Sequence, residues 1–481
     1  MKKFLSVLLI ITMSFSAFLL SSCKKNNDEI TLEEKVDSKL TAYRTDIEDS
    51  LATLNTPEEV ADYLSHWAQT KGIDYVSDDN NVIMTIETSE SYAQAQPTVV
   101  ICPYDTLQMQ NSVAPMAIGM YLAKNNEATG HLTVIFTDNT ANRFTGIQKL
   151  SPEYIADNAN VFSLCSNSKS YWAVNTGGGV SYEFTGSIEY KEPVLNKAVK
   201  ITIDGLPGGI PDSSVGSYPN PLKRLGNLLA QFKTNALIYE LADFSGGVSG
   251  TLYPQSATMT VVINEDDYEK FQKRVDKDIS KFIDKNEEDM ENVTYTYEEV
   301  PLPEKVFGDE SMNNFVSFIY TLLDGSYYQD DNQGEKEELS SFTSLGSINI
   351  NKDKFVISAM ANSLRSDILN EINNNYQLIC GLSNIEFFTR DIAPTWSAPE
   401  DTQFINEVSN AYESYTDKTF KLRSYIPLTP ATYVYALNQN CNIVSLSVSG
   451  NGLDLYTGSI LTFMMNQPHD EKIIQNIVTP Q

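Results

Sequence analysis

The sequence predicts an α/β fold: an α/β domain with a mainly parallel sheet, split in the chain by an inserted α+β domain. Three observations predict it. Apolar strand-like runs alternate with helical patterns between residues 98 and 166, the alternation that builds parallel sheets with helical crossovers. From about Gly177 strand follows strand with occasional helices, the texture of an antiparallel sheet with helices to one side. From TQFINEVSNAYESYT (402–416) onward, helix, strand and helix alternate again. A chain of 481 residues is long enough for several cores. The expected boundaries are 31–180 and 395–481 for the split domain and 181–394 for the inserted one.

The chain opens with MKK, a basic stretch, and FLSVLLIITMSFSAFLL, an apolar one. Residues 1–22 therefore read as a secretory signal, too short and wrongly flanked for a membrane span. LSSC, ending at Cys23, resembles the bacterial lipobox. The resemblance implies cleavage before Cys23 and lipidation of its thiol. The expectation is a protein of the bacterial cell envelope, tethered to the membrane by lipid alone. CKKNN has no Asp after the cysteine, which favours the outer membrane over the inner. Residues 23–30 then form a polar tether.

TPEEVADYLSHWAQTKGI (56–73) is an amphipathic helix. Thr56 caps it, Pro57 suits its first turn, Glu58 and Glu59 favour its positive end, and Gly72 stops it. DYVSDDNNVIMTIE is a hairpin turning at DDNN. PTVVICPYDTL (97–107) is a buried strand that delivers one carboxylate, Asp105, at its end. VAPMAIGMYLAKNN is a helix; GHLTVIFTDN and NVFSLCSN are strands. In the inserted part, VSYEFTGSIEY, KAVKITIDGL, ALIYELADFSGG, SATMTVVINEDD, FTSLGSININKD and KFVISAMANSLRS are strands. NPLKRLGNLLAQFK, residues 265–287 and SDILNEINNNYQLICGL are helices. QGEKEELSS (333–341) reads as a solvated loop.

A net charge of −29 repels phosphate backbones, so no nucleic-acid partner is expected. It suits cationic ligands or a solvated surface outside the cytoplasm. Cys102, Cys165, Cys380 and Cys441 match no zinc spacing and read as buried thiols, with their pairing left open. His66, His131 and His469 are the chain's three histidines, and none lies in a recognisable motif. There is no Gly-x-Ser-x-Gly elbow and no phosphate-binding glycine loop after a strand.

Several local patterns fall in a telling order. PTVVICPYDTL resembles the strand that ends in His-x-Asp in zinc metallopeptidases of the carnosinase and aminoacylase type. GLPGGIPDSSVGSYPNPLKRLGNLLAQF (205–232) and FSGGVSGTLYPQSA (244–257) resemble lid-domain motifs of the aminoacyl-histidine dipeptidases. SLGSINI, SLRSD and APTW fall where that family has its later lid strands and a Pro-Gly-Trp. The resemblance spans roughly residues 50–480. It implies a metallopeptidase α/β domain with an inserted lid, a homodimer as a common state, and a di-zinc centre held by His, Asp and Glu.

That centre is not spelled out here. Pro103 stands where the family has its first ligand histidine, and Asp105 where it has the carboxylate that orients that histidine. Val113 takes the bridging Asp position. Thr140 and Ala141 take the Glu–Glu pair, Cys165 a second Asp, Leu453 the C-terminal histidine, and Ile210 the lid histidine. Proline and aliphatic side chains offer no lone pair to a metal. The expectation is therefore no metal, no cofactor and no catalytic residue: a pseudopeptidase that binds a peptide, an amino acid or a protein. Asp105 is either a remnant of the ancestral site or the cap of the following turn.

Two residues are expected to bind ligand. Arg365 of SLRSD matches a family arginine near the cleft, where a guanidinium pairs with a peptide carboxylate. Thr251 stands at a substrate-contacting Asn and could give one hydrogen bond. Tyr104, Tyr425 and Tyr456 fall at candidate cleft positions. The rivals are an active zinc dipeptidase cleaving Xaa-His and a purely structural envelope protein. A polar pocket around Arg365 favours binding. A cleft filled by Val113, Met116, Ile210 and Leu453 favours structure.

Overall fold

The computed structural model describes residues 32–125, 130–167, 169–210, 219–285, 292–329, 338–425 and 427–470. The expected signal, Cys23, the tether and most of the loop at 333–341 lie outside them. The first element among the described residues is α1 (Leu32–Leu51), whose Val36, Leu40, Ile47 and Leu51 are buried at helical spacing. α2 (Pro57–Lys71) carries the full signature expected of it. Thr56 and Glu59 form a reciprocal capping box, and Gly72 closes the helix at φ 67°, a left-handed position. β1 (Asp74–Asp78) and β2 (Asn81–Ile86) pair through a two-residue turn. Asp79 and Asn80 both take positive φ there, which is the turn that matches strand twist.

β3 (Thr98–Tyr104), α3 (Gln110–Lys124), β4 (Leu132–Asp138), the short α4 (Thr145–Lys149) and β5 (Asn160–Ser166) follow, then β6 (Tyr171–Thr176). The lid contributes β7 (Gly178–Ser187), β8 (Tyr190–Lys191), β9 (Lys197–Asp204), α5 (Pro221–Thr234), β10 (Tyr239–Gly246) and β11 (Ala257–Ile263). Next come α6 (Tyr268–Lys285), β12 (Thr294–Val300), β13 (Val306–Phe307), α7 (Asp309–Thr321), β14 (Gly325–Gln329) and β15 (Glu338–Asn351). β16 (Lys354–Ser363), α8 (Ser366–Ser383) and β17 (Glu386–Ala393) complete it. The chain then returns through β18 (Trp396–Ser397), α9 (Gln403–Thr416), β19 (Leu422–Tyr425), α10 (Pro430–Leu437), β20 (Asn442–Val448) and α11 (Leu453–Met465). Residues 338–341, expected in a solvated loop, instead open β15, where Ser341 pairs with Ser363 of β16.

The first sheet runs β1-β2-β4-β3-β5-β20-β6-β18, with β19 beside β6. Its centre, β4-β3-β5-β20, is parallel, as the strand–helix alternation predicts. Its flanks at β1–β2, β2–β4, β6–β20 and β6–β18 are antiparallel, so the sheet is mixed. From β3 the chain crosses to β4 on one side, and from β4 it returns to β5 on the other. The strand order therefore reverses beside β3, and the crevice beyond the strand ends there is where open α/β sheets place ligands. α1, α3 and α11 pack against one another, and α9 packs on α11.

The lid sheet, β12-β9-β11-β10-β15-β16-β7-β17 with β14 beside β15, is antiparallel throughout. α5 buries Leu222, Leu225, Leu228, Leu229 and Phe232 against it, and each such side chain contributes roughly 1.5–3 kcal/mol. The two domains have separate apolar cores. The chain passes from one sheet to the other at residues 176–178 and 393–396.

Candidate functional site

Asp105 follows β3 directly. Its Oδ1 accepts hydrogen bonds from the amides of Leu107 (2.8 Å) and Gln108 (2.9 Å), so it caps the turn that leads into α3. Ser112 Oγ donates to its carbonyl at 2.9 Å and fixes the same turn. Of the two readings of Asp105, capping is the one its contacts display. The residue is 2 % exposed, and burial pushes its carboxyl up from the ordinary range. The amides of Leu107, Gln108, Ala141 and Asn142 oppose that shift, although Oδ2 has no hydrogen bond of its own.

Pro103 lies inside β3, in register with Thr137 of β4. The ladder from β3 to β5 ends at Ile101 and Ser163, two residues earlier. A missing N–H at Pro103 therefore leaves no gap in that ladder.

The loop after β4 holds Thr140 and Ala141. Thr140 N donates to Asp138 Oδ1 at 2.8 Å, and its hydroxyl lies 3.0 Å from that of Thr106. Ala141, Asn142 and Phe144 all take left-handed φ between 53° and 60°, which costs about 1 kcal/mol or more for a non-glycine residue. Contacts from the lid hold the loop in this form. Thr251 Oγ1 donates to Ala141 O, and Asp391 pairs with Arg143. The Thr251 hydroxyl, expected to meet a ligand, is thus committed to the protein's own backbone.

Cys165, at the end of β5, is buried, and burial pushes its thiol up to about 12. It is a single buried thiol, and one thiol without partner ligands makes no metal site. Val113 lies in the first turn of α3, which begins at Gln110, before the VAPMAIGMYLAKNN stretch read as helix, and Leu453 is the first residue of α11. Both are buried, as is Met116.

Pro103, Asp105 and Cys165 come together with Ile210 of the lid around one small cavity that also touches Asn142 and Leu428. It leaves about 10 Å³ of free room, enough for a single water. A second cavity, of about 530 Å³, opens beside Val113 and is lined by α1, the start of α3, Ser166 and Gly450. α1 went unread in the sequence, although Val36, Leu40, Ile47 and Leu51 carry its period; Arg44 and Glu48 enter the site with it.

Arg365 does not join either cavity. Its guanidinium binds Asp367, two residues away, through Nε at 3.0 Å, and it caps nothing. Tyr104 donates its hydroxyl to Asn80 O (2.6 Å) and Pro57 O (3.1 Å), which ties β3 to the first hairpin. Tyr456 packs on Trp172 and Tyr412 and donates to Ser170 O, an aromatic cluster of the core. The backbone of Tyr425 lies in β19. His66 is exposed on α2, His131 neighbours Thr133, and His469 packs on Tyr92 with the rings tilted and their centroids 4.9 Å apart.

The di-zinc centre that the resemblance implies does not fit this donor set. Of the positions that would hold it, only Asp105 and Cys165 carry a carboxylate or thiol, and the first is engaged as a cap while the second has no companion ligand. Among the described residues no three His, Cys, Asp or Glu side chains gather in a way that could hold a metal ion. Cys102, Cys165, Cys380 and Cys441 are free thiols.

Comparison with solved structures addresses the fold. The aminoacylhistidine dipeptidase from Vibrio alginolyticus superposes with a TM-score of 0.60 at 16% identity, covering 90% of this chain and 98% of that one. The chain shares the aminoacylhistidine dipeptidase fold. A tripeptidase from Staphylococcus aureus (TM-score 0.48, 9% identity, 89% and 98% covered) and human carnosine dipeptidase 1 (0.44, 10%, 90% and 98%) are more distant. No family model matches the sequence, and no curated protein matches it. Among the described residues no helix is long and apolar enough to cross a membrane.

Proposed function

We propose that this chain is a non-catalytic member of the dipeptidase-type fold, a lipid-anchored envelope protein that binds a peptide or amino acid without hydrolysing it. One observation carries the reading. By the family resemblance the positions that would bind zinc fall on Pro103, Val113, Thr140, Ala141, Cys165 and Leu453, and Asp105, the carboxylate beside them, caps its own turn. Losing even a supporting contact around a metal costs roughly 10–100-fold in affinity, and here the ligands themselves are replaced. Arg365 lines neither cavity and Val113, Met116 and Leu453 are buried, which favours a structural role at those positions; the cavity of about 530 Å³ beside Val113 is what supports binding.

The test is metal content and turnover on the same sample. The purified chain, incubated with zinc and desalted, is expected to retain less than one zinc per several chains and to leave Xaa-His dipeptides intact. Close to two zinc ions per chain, with zinc-dependent hydrolysis, overturns the reading and restores an active dipeptidase. Lipid anchoring is tested separately, by mass spectrometry of the amino-terminal peptide at Cys23.

A further inference from the structure

We infer that the cavity between α1 and the start of α3 is the ligand site, and that it takes a zwitterionic amino acid or the free end of a similar molecule, with an apolar side chain. The inference rests on the non-catalytic binding reading above and gives it a place and a ligand class.

Room decides the place. The space between the domains around Asp105, Cys165 and Ile210 holds about 10 Å³, one water at most. The cavity beside Val113 holds about 530 Å³, within the roughly 300–1,000 Å³ that small-molecule sites occupy. It also lies at the reversal of strand order, between the end of β5 and the turn after β3.

Chemistry decides the class. Arg44 and Glu48 sit one turn apart on α1 and both line the cavity. Their charged atoms are 3.9 Å apart, and their side chains are 39% and 53% exposed, so the pair is loose and open to competition. Arg44 Nη1 donates to Gly450 O at 3.0 Å, which holds the arginine stem over the cavity mouth. Leu51, Met109 and Val113 form an apolar wall. A plain anion would meet Glu48, and a plain cation would meet Arg44. A molecule that carries both charges satisfies both, with its carboxylate on Arg44, its ammonium on Glu48 and its side chain on the wall. Gln110, the first residue of α3, also lines the cavity and offers a neutral amide to a ligand carboxylate. Val113 matters here by what it is. The family position would hold a metal-bridging carboxylate, and the valine gives the cavity an apolar surface instead.

Isothermal titration of the full chain tests this, with L-leucine, L-leucinamide, N-acetyl-L-leucine and the dipeptide Leu-Leu as probes. L-leucine is expected to bind. Removing either charge from the probe is expected to weaken it roughly tenfold, the usual worth of one charged hydrogen bond. Arg44→Gln is expected to weaken L-leucine by the same factor while changing L-leucinamide little, and Glu48→Gln likewise to weaken L-leucine while changing N-acetyl-L-leucine little. Both residues are exposed on a helix, so circular dichroism of each variant should match the parent. Equal binding of L-leucine or Leu-Leu to the parent and both variants overturns the site and leaves the binding function standing. Binding of none of the probes overturns the site and the ligand class together. Zinc-dependent hydrolysis of Leu-Leu overturns the non-catalytic reading itself.

Discussion

Arg143 of the α/β domain grips Asp391 of the lid with two nitrogens, Nε at 3.2 Å and Nη2 at 3.4 Å. The arginine belongs to the strained loop after β4, and the aspartate lies on β17, the lid's edge strand. The pair spans the two sheets close to the place where Thr251 reaches Ala141. Arg143 is 46% exposed, so water and salt weaken the bond. A double-mutant cycle of Arg143→Ala with Asp391→Ala is expected to give a coupling of about 0.5–1 kcal/mol at low salt. Near 1 M salt, where screening acts within about 3 Å, it should shrink towards zero. A coupling independent of salt would mean that the contact acts by packing and not by charge.

Thr251→Val isolates the other bridge. Valine keeps the shape and removes the hydroxyl, which leaves the buried carbonyl of Ala141 without its donor. The expected loss is about 1–3 kcal/mol in urea unfolding, and Thr251→Ser should recover most of it. Unchanged stability in the valine variant would show that the hydroxyl is dispensable to the loop.

Lys223 makes a pH-dependent contribution inside the lid. Its Nζ donates to the carbonyls of Ile319 (2.8 Å), Tyr320 (2.7 Å) and Leu322 (2.5 Å), at the C-terminal end of α7. Burial lowers its pKa to about 8, with Asp324 pulling the other way. Between about 8 and the ordinary 10.5, the unfolded chain holds a proton that the folded chain has released. The lysine's contribution to stability therefore rises with pH across that window. The difference in unfolding free energy between the parent and Lys223→Met should grow from pH 8 to pH 10.5. A flat difference would place the lysine's folded pKa near its ordinary value.

Thiol chemistry offers a fourth check. Burial pushes Cys165 up to about 12 and Cys102 further still, and Cys441 goes to about 11 while remaining partly exposed. Alkylation needs an accessible thiolate. In native protein at pH 8, Cys102 and Cys165 are expected to resist iodoacetamide, and Cys441 to react first. In urea without reductant, Cys102, Cys165, Cys380 and Cys441 should all react. A resistant pair in urea would reveal a disulfide.

The sequence carries the central strands of both sheets and many of the helices that pack on them, where each is written in local terms; α1, α7, β6, β12, β14 and β17 are not read from it. The capping box at Thr56 and Glu59 and the Asp79–Asn80 turn need only neighbouring residues. The parallel centre of the first sheet also follows from alternation, whereas the order of its strands does not. The site was less legible. Arg365 carries a family-like motif, yet its guanidinium turns to Asp367, which lies two residues away and wins by proximity. Thr251 reads as a ligand contact, yet Ala141, more than 100 residues earlier in the chain, presents a carbonyl to it. Neither partner is visible along the chain, since both depend on how loops meet in space. α1 was passed over because a weakly amphipathic, charged helix looks much like a solvated leader, and with it went Arg44 and Glu48.

The bond from Arg44 to the Gly450 carbonyl joins positions 406 residues apart. α1 rests on α3 and on α11, and β20 completes the parallel centre beside β5. During synthesis α1 can meet α3 early, but the part of its apolar face that packs on α11 stays uncovered until nearly the whole polypeptide has left the ribosome. The lid, built from one uninterrupted stretch, can settle first. Such long-range closure slows assembly. A nascent chain halted before residue 442 would still expose part of the α1 stripe of Val36, Leu40, Ile47 and Leu51, which is the form in which a holding chaperone would meet it.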